Sequence, residues 1–520
     1  MVPRLARAAF RSRQRRRRRR LKATLGAWPE RALAAALGAL QTLAFVHTAA
    51  WPLPLATLAW LVWRLDRATP RQAAGLGWCY GTGWLCAGTW WLFISMYVYG
   101  HLPAVLAAAA VFALSGFLSL YLAAAGWAYA KLRRGDALDP LVLAALWLLA
   151  ELARGVLFTG FPWVASGYAQ VDSPLVALAP WVGVYGIGAL GALVAAAGVK
   201  LLRQREWRPA AGALAVVVVA SLVPARFTQP AGELRVTLLQ TAVRQDEKFS
   251  AERMPEVLAW VAAALRQAAP GLAIAPETAV PLLPAQLDDF APGYWQALRE
   301  DAARPGRAVL VGLPLGDFQA GYTNSVAGLA GREVYRYDKR HLVPFGEFIP
   351  PGFRWFTAAM GIPLGDFARG VPNPPSFAAL GQRIAPNICY EDLFGEELAA
   401  RFADAATAPT VFANLSNIGW FGDSAAIPQH LNISRLRTLE FQLPMLRATN
   451  TGATAVVDHR GVVTAQLPPH QRGMLEAVVQ GRAGVTPFAW WAARLGLWPL
   501  CGLALAVLVL RWRFRPKAGA

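Results

Sequence analysis

Three short segments in the second half of the chain carry residue types suited to covalent catalysis. In Ala273–Thr278, a strand-like run ends at Pro276, so Glu277 stands at a strand end, where α/β sheets present functional groups. Tyr337–Glu347 contains Lys339 and, eight residues on and past a Pro-Phe-Gly turn, Glu347. In Ile384–Glu391 a strand runs into Cys389, followed by Tyr390 and Glu391, with helix-favouring residues over 393–397. A strand-to-helix turn exposes a nucleophile, and the positive end of a helix lowers a thiol pKa. Asp392 is the expected N-cap of that helix. Taken singly, none of these is diagnostic. A lone cysteine after a strand is more often structural, Glu277 alone reads as a cap or surface acid, and Lys339 alone as a solvated lysine.

The elements that must hold these residues lie between about 226 and 486. Short β-rich runs recur at Leu234–Gln240, Leu272–Ala275, Ala308–Leu313, Arg383–Ile388, Thr410–Ala413 and Ala453–Val457. Helical patterns fall between some of them, as over Met254–Ala268 and Glu396–Ala406. That alternation implies a layered α/β or α+β core.

The rest of the chain is of another kind. It has 520 residues, 56% hydrophobic and only 16% charged. A soluble domain carries roughly 25% charged residues, so one soluble globule is excluded. The net charge of +20 invites a nucleic-acid reading, but its distribution argues against one. Residues 1–225 hold 23 Lys and Arg against 7 acids, residues 226–486 hold 23 against 24, and residues 487–520 hold 5 against none. The excess sits beside apolar runs, the pattern of a membrane protein with basic loops.

Spanning a bilayer takes roughly 17–25 apolar residues. Candidate spans fall at about 31–48, 49–64, 74–97, 103–130, 138–158, 174–199, 209–225 and 488–510. Loops at 64–71, 131–134 and 200–208 and the tail from Arg511 are basic, whereas those near 98–102 and 159–173 have no Lys or Arg. This alternation predicts the N-terminus inside, seven spans, the polar domain outside and a last span returning. The expected domains are a basic tail over 1–30, a membrane domain over 31–225, a catalytic domain over 226–486, and a final span with tail over 487–520. The Arg-rich tail reads as a segment attracted to anionic lipid. The cysteines Cys79, Cys86, Cys389 and Cys501 form no disulfide framework or zinc spacing, and the His residues form no metal motif. No metal or organic cofactor and no nucleic-acid partner is expected.

In this order and context, Glu277, Lys339 and Cys389 resemble the Glu–Lys–Cys triad of the nitrilase superfamily. With the membrane part, the chain resembles bacterial apolipoprotein N-acyltransferases. Glu151-Leu-Ala-Arg-Gly155, Thr159-Gly-Phe-Pro-Trp163, Gly167-Tyr168, His341–Phe348, Asn417, Gly419–Asp423 and Arg447–Gly452 carry that resemblance. Lys248-Phe249 departs from it, since the family usually shows Lys-Trp there.

The resemblance implies a multi-pass α-helical membrane domain plus an α/β nitrilase-like α-β-β-α sandwich. It implies transfer of an acyl chain from a phospholipid, through a Cys389 thioester, to the N-terminal amine of a diacylglyceryl-cysteine lipoprotein. Glu277 would be general base and acid, and Lys339 with a backbone N–H near Tyr390 would hold the oxyanion. Glu347 would be a supporting acid that holds Lys339 or orders its loop. Tyr390 and Glu391 would shape the nucleophile's site. The implied location is the bacterial inner membrane, with the catalytic domain periplasmic and a monomer favoured.

Three further expectations follow. Residues 348–377, rich in Gly and Pro and carrying Phe348, Phe353, Trp355, Phe356, Met360 and Phe367, read as a lid dipping into lipid. Glu151 and Arg154, three apart on one span, read first as a structural pair. The alternatives to acyl transfer are a membrane-tethered carbon-nitrogen hydrolase, with water as acceptor, and a transporter or scaffold with a degenerate nitrilase domain. The complete triad argues against the last.

Overall fold

The computed structural model describes residues 28–222, 226–317, 319, 321–331, 333–350, 352 and 367–514. The Arg-rich run at 15–20 and the lid residues Phe353, Trp355, Phe356 and Met360 lie outside them.

The apolar half folds into helices: α1 (28–40), α2 (Pro52–Leu65), α3 (Pro70–Gly88), α4 (Ala104–Leu118), α5 (Leu120–Leu132), α6 (Asp139–Val156), α7 (Ala179–Gln204) and α8 (Arg208–Leu222). Local chemistry sets their starts. Thr69 and Gln72 form a capping box and Pro70 takes the first helical position of α3, where its missing N–H costs nothing. Among the described residues, Ala104–Leu132, Asp139–Thr159 and Pro174–Gln204 are long and apolar enough to cross a membrane. A fourth span is possible only as a bent pair. In that pair, α14 (Pro487–Leu495) and α15 (Trp498–Arg513) meet at 88°. The segment expected as one span over 488–510 is therefore two helices. Gly496, at φ 55°, breaks it, and Phe488, Ala489 and Ala492 of α14 pack on the catalytic domain instead of facing lipid.

The catalytic domain holds two six-stranded sheets. The first is ordered β12 (Gly473–Gly484), β1 (Thr228–Gln240), β2 (Gly271–Ala275), β3 (Arg307–Asp317), β4 (Gly321–Ala330) and β5 (Glu333–Asp338). The second is ordered β11 (Val463–Gln466), β10 (Ala455–Val457), β9 (Met445–Thr449), β8 (Val411–Ser416), β7 (Gln382–Ile388) and β6 (Phe377–Ala379). β1, β2 and β3 run parallel, as do β7, β8 and β9. Parallel strands are covered on both faces, and β8 is buried along its whole length.

Leu238, Ile274 and Leu310 of one sheet meet Ile388, Leu415 and Leu446 of the other in a shared core. On the outer face of the first sheet pack α9 (Met254–Gln267), α10 (Pro284–Phe290) and α11 (Tyr294–Ala302). On the second pack α12 (Gly395–Ala399), α13 (Ala426–Phe441) and α14. This is the expected α-β-β-α sandwich. It sits directly on the helical bundle: Tyr390, Leu393, Phe394 and Ile427 share one apolar core with Trp84, Trp147 and Trp163.

Candidate active site

Strand ends bring the site together. Glu277 follows β2 by two residues, while Lys339, Cys389, Asn417 and Asn450 directly follow β5, β7, β8 and β9. Neighbouring parallel strands end together, so their first loop residues converge on one edge of the sandwich.

Glu277 is buried and its carboxylate is fully engaged. Oε1 accepts the Asn324 amide at 2.7 Å and faces Lys339 Nζ at 3.4 Å; Oε2 accepts the Asn417 N–H at 2.7 Å. Lys339 Nζ lies closer to Glu347 Oε1, at 2.8 Å. The Asn324 amide donates also to Glu347, again at 2.7 Å. One NH2 group thus bridges two carboxylates, and a flipped amide would set its oxygen against both. Glu347 Oε2 accepts the Val343 N–H at 2.8 Å. Glu347 therefore does both things expected of it: it pairs with Lys339 and ties down the loop after it.

The electrostatics follow from burial and pairing. Burial raises the Glu277 carboxyl, but Lys339, the Asn324 amide, Lys248 and the Asn417 N–H together outweigh it and hold it below its ordinary value. Burial lowers the Lys339 ammonium, yet Glu347 and Glu277 reverse this and raise it well above its usual range. Lys339 is a fixed cation.

Cys389 opens a short 3-10 turn, Cys389–Leu393, with φ 52°. A non-glycine residue there is strained, and such strain gathers at functional sites. The turn's first N–H groups, Tyr390's among them, have no helical acceptor. Cys389 as a residue is half-buried and not sealed off. Two expectations fail here. The thiol is not lowered: burial, then the charge of Glu277, push it up to about 12 against the opposing pull of Lys339. The five-residue α12 is too short to supply a strong helix-end field. Nor does Asp392 cap a helix, for Phe394 occupies that position. Asp392 is buried beneath the turn and bonds to Ser434 and, at 3.4 Å, to Arg447.

Glu391 is the clamp between two loops. Oε2 accepts the Tyr337 hydroxyl at 2.5 Å and the Ile388 N–H at 2.7 Å, and Oε1 accepts the Arg340 and His341 N–H groups at 2.8 and 3.2 Å. The lysine loop is thereby tied to the cysteine turn. The Tyr390 hydroxyl donates to Gly160 O at 3.0 Å, and its ring stacks on Phe161 at 6.5 Å. These partners belong to the loop after α6, where Phe158, Thr159 and Gly160 all have positive φ. Gly160 is required there, since a Cβ would lie 1.9 Å from Gly155 O. Glu151 and Arg154 hold that loop. Arg154 Nη1 donates to Phe161 O and Trp163 O, both at 2.8 Å, while Glu151 accepts Arg154 at 3.1 Å and the Ser166 hydroxyl at 2.5 Å. The structural pair is what the structure contains.

Several supports were not singled out as site residues. His430 Nε2 lies 3.2 Å from Cys389 O and its Nδ1 3.1 Å from Arg447 Nη2. Burial, then Arg447, hold His430 well below its ordinary pKa, so it is neutral and donates through Nε2. Lys248 Nζ donates to Glu277 O at 3.0 Å, and burial lowers it to about 8. Asn324 had one sequence signal: it sits in a run of three polar residues inside an otherwise apolar strand. Among the described residues no group of His, Cys, Asp and Glu could hold a metal.

The family model for the apolipoprotein N-acyltransferase N-terminal domain matches residues 37–197, and that for carbon-nitrogen hydrolases matches residues 235–488. An apolipoprotein N-acyltransferase from Verminephrobacter eiseniae is 53% identical over 86% of this chain and 89% of its own. One from Ralstonia nicotianae is 46% identical over 94% of each chain. A solved CN-hydrolase superfamily protein from Xanthomonas campestris, 19% identical, covers 51% of this chain and 96% of its own at a TM-score of 0.36.

Proposed function

This chain belongs to the apolipoprotein N-acyltransferase family, and we propose that it moves a fatty acyl chain from a phospholipid to the N-terminal amine of a diacylglyceryl-cysteine lipoprotein. Glu277, Lys339 and Cys389 carry the chemistry. Glu277 takes the thiol proton as the sulfur attacks the ester carbonyl. The oxyanion that forms faces Lys339 Nζ and the Tyr390 N–H; losing one such donor costs about 10²–10³ in rate. Collapse breaks the ester C–O bond, and Glu277 returns the proton to the departing lysophospholipid oxygen. The thioester remains. Glu277 then takes a proton from the incoming amine, the nitrogen attacks the thioester carbonyl, and the thiolate leaves and is reprotonated. This is covalent ping-pong catalysis.

The observation that carries the reading is the Tyr390–Gly160 bond, which docks the nucleophile's turn onto the membrane domain. A hydrolase of soluble amides has no use for such docking; an enzyme whose donor is a lipid does. Exposed Phe345, on the loop between Lys339 and Glu347, and exposed Trp420 add apolar surface beside the site. The relatives' names likewise do not favour the hydrolase alternative.

The protein is membrane-embedded. Its location is the bacterial inner membrane, with the catalytic domain periplasmic and both termini inside, as the basic loops argue. It works as a monomer on lipids and lipoproteins, without cofactor. The test is transfer from phosphatidylethanolamine to a diacylglyceryl-cysteine peptide, read by peptide mass. Wild type yields the N-acylated peptide and Glu277→Gln does not. Release of free fatty acid with no peptide product would overturn the reading in favour of a hydrolase.

A further inference from the structure

The mechanism leaves one cavity unused. About 330 Å3 opens among the ends of α2, α5, α6 and α7. Asp139 lines it at the start of α6, whose other end leads to the loop that meets Tyr390. Eighteen helical residues rise roughly 27 Å, so the cavity lies at the end of the bundle away from the nucleophile.

Its lining is cationic. Arg67, Arg133, Arg134, Lys200 and Arg203 face it, against the carboxylates of Asp66 and Asp139. Both carboxylates are already occupied. Asp139 accepts Lys200 Nζ at 3.1 Å, Arg511 Nη2 at 2.6 Å, and the Arg134 and Gly135 N–H groups at 2.9 and 2.8 Å. Asp66 accepts the Tyr129 hydroxyl at 2.8 Å and pairs with Arg203 at 3.6 Å.

Among the described residues one guanidinium of the lining is exposed and unpaired and another keeps a buried free donor. Arg67 makes no side-chain hydrogen bond or ion pair there. Arg133 donates Nη2 to Ala68 O at 2.8 Å, but its Nη1 is buried without an acceptor. A buried N–H donor without a partner is costly, and in a cavity of this charge the missing partner is an anion.

We propose that this cavity binds a phosphate group, that of an anionic phospholipid in the leaflet facing this end of the bundle. Arginine forks match phosphate oxygens in pairs, and basic pockets between membrane helices on one side hold anionic headgroups. The apolar surroundings decide for a lipid over free phosphate. Leu138 is 54% exposed, Leu202 74% and Trp207 63%, all within a few residues of lining positions. They offer acyl chains a surface, which a free anion does not need. An excess of three positive charges over the lining selects a net anionic headgroup over a zwitterionic one.

The test is native mass spectrometry of the purified full chain with phosphatidylglycerol, with phosphatidylcholine of the same chains, and with inorganic phosphate. The variants are Arg67→Glu and Arg133→Gln. Wild type retains phosphatidylglycerol in preference to phosphatidylcholine, and each variant weakens that retention about fivefold or more, the effect of one nearby charge. Inorganic phosphate binding in wild type, lost in both variants, with no preference between the lipids, would overturn the lipid source. Phosphatidylglycerol retention unchanged in both variants would overturn the site. Arg67 is exposed and unpaired, so Arg67→Glu carries the test even if Arg133→Gln fails to fold. Elution volume and melting temperature report folding for each. Thioester formation on Cys389, measured separately, keeps this outcome apart from that of the catalytic reading.

Discussion

Replacing Glu391 with Gln tests whether the clamp between the lysine loop and the cysteine turn sets the catalytic geometry. Four donors reach this carboxylate, two on each oxygen. Glutamine keeps one oxygen and turns an NH2 group toward the other pair. Hydrogen bonds to a charged group contribute about 1.5–3 kcal/mol each, so losing two gives an upper bound of roughly 3–6 kcal/mol. Not all of it reaches the active site. Lys339 is also held by its own N–H on Asn324 O at 2.8 Å, by Gly370 N–H on its carbonyl at 2.9 Å, and by Glu347. If half the lower bound to half the upper bound appears as misplacement of Lys339 and the cysteine turn, acylation slows about tenfold to 150-fold. The assay is single-turnover acylation of Glu391→Gln by phosphatidylethanolamine, with iodoacetamide labelling of Cys389 and thermal unfolding as controls. A folded Glu391→Gln protein that acylates within about twofold of wild type would refute the clamp.

Other expectations follow from the same geometry. With its thiol pushed up to about 12 and Glu277 held ionised, Cys389 is protonated in the resting enzyme. Its alkylation by iodoacetamide should therefore keep rising between pH 6 and pH 9, since only the thiolate reacts; a plateau near pH 7 would contradict this. Glu347→Gln removes the nearer carboxylate from Lys339, and acylation should fall by about 10–10² on loss of one charged contact. An unchanged single-turnover rate would argue that Glu277 alone holds Lys339. Arg154→Met leaves Glu151 buried without its cation and two carbonyls without donors. It should destabilise the protein by about 3–5 kcal/mol, read as a lower melting temperature, and slow acylation by loosening the loop under Tyr390. Lys248→Met removes the donor on Glu277 O and should slow acylation while leaving Lys339 and its partners in place. A rate equal to wild type would make Lys248 a packing residue only.

The strand-end placement of Glu277 and Cys389 was legible because each follows a strand whose apolar run can be read directly, and Glu277, Lys339 and Cys389 stood out because carboxylate, amine and thiol are unlike their surroundings. Of the candidate spans, those at 103–130, 138–158 and 174–199 match helices long and apolar enough to cross a membrane. What escaped notice depends on contacts between distant segments. β4, β5 and β12 carry polar residues on partly exposed or site-facing positions, so their alternation is blurred. Asn324 acts only because β4 brings it between two carboxylates. Glu391 was legible only as a neighbour of the nucleophile, because one of its donors, the Ile388 N–H, is local while the other three lie some fifty residues away. The lowered thiol expected from a helix end was wrong for a physical reason: burial beside an anion outweighs a short turn's dipole. The last span expected over 488–510 is a bent pair, because apolar length alone does not register that its first half packs on a protein core. Gly496 was the signal for that break.

The central claim is that Cys389 carries the acyl chain as a thioester. Intact-protein mass spectrometry after incubation with phosphatidylethanolamine tests it most directly, on wild type and Cys389→Ala. The account predicts an adduct of one acyl chain on wild type, released by hydroxylamine and absent from Cys389→Ala. A folded wild-type protein that transfers acyl chains without this adduct, or an adduct that persists in Cys389→Ala, would contradict it.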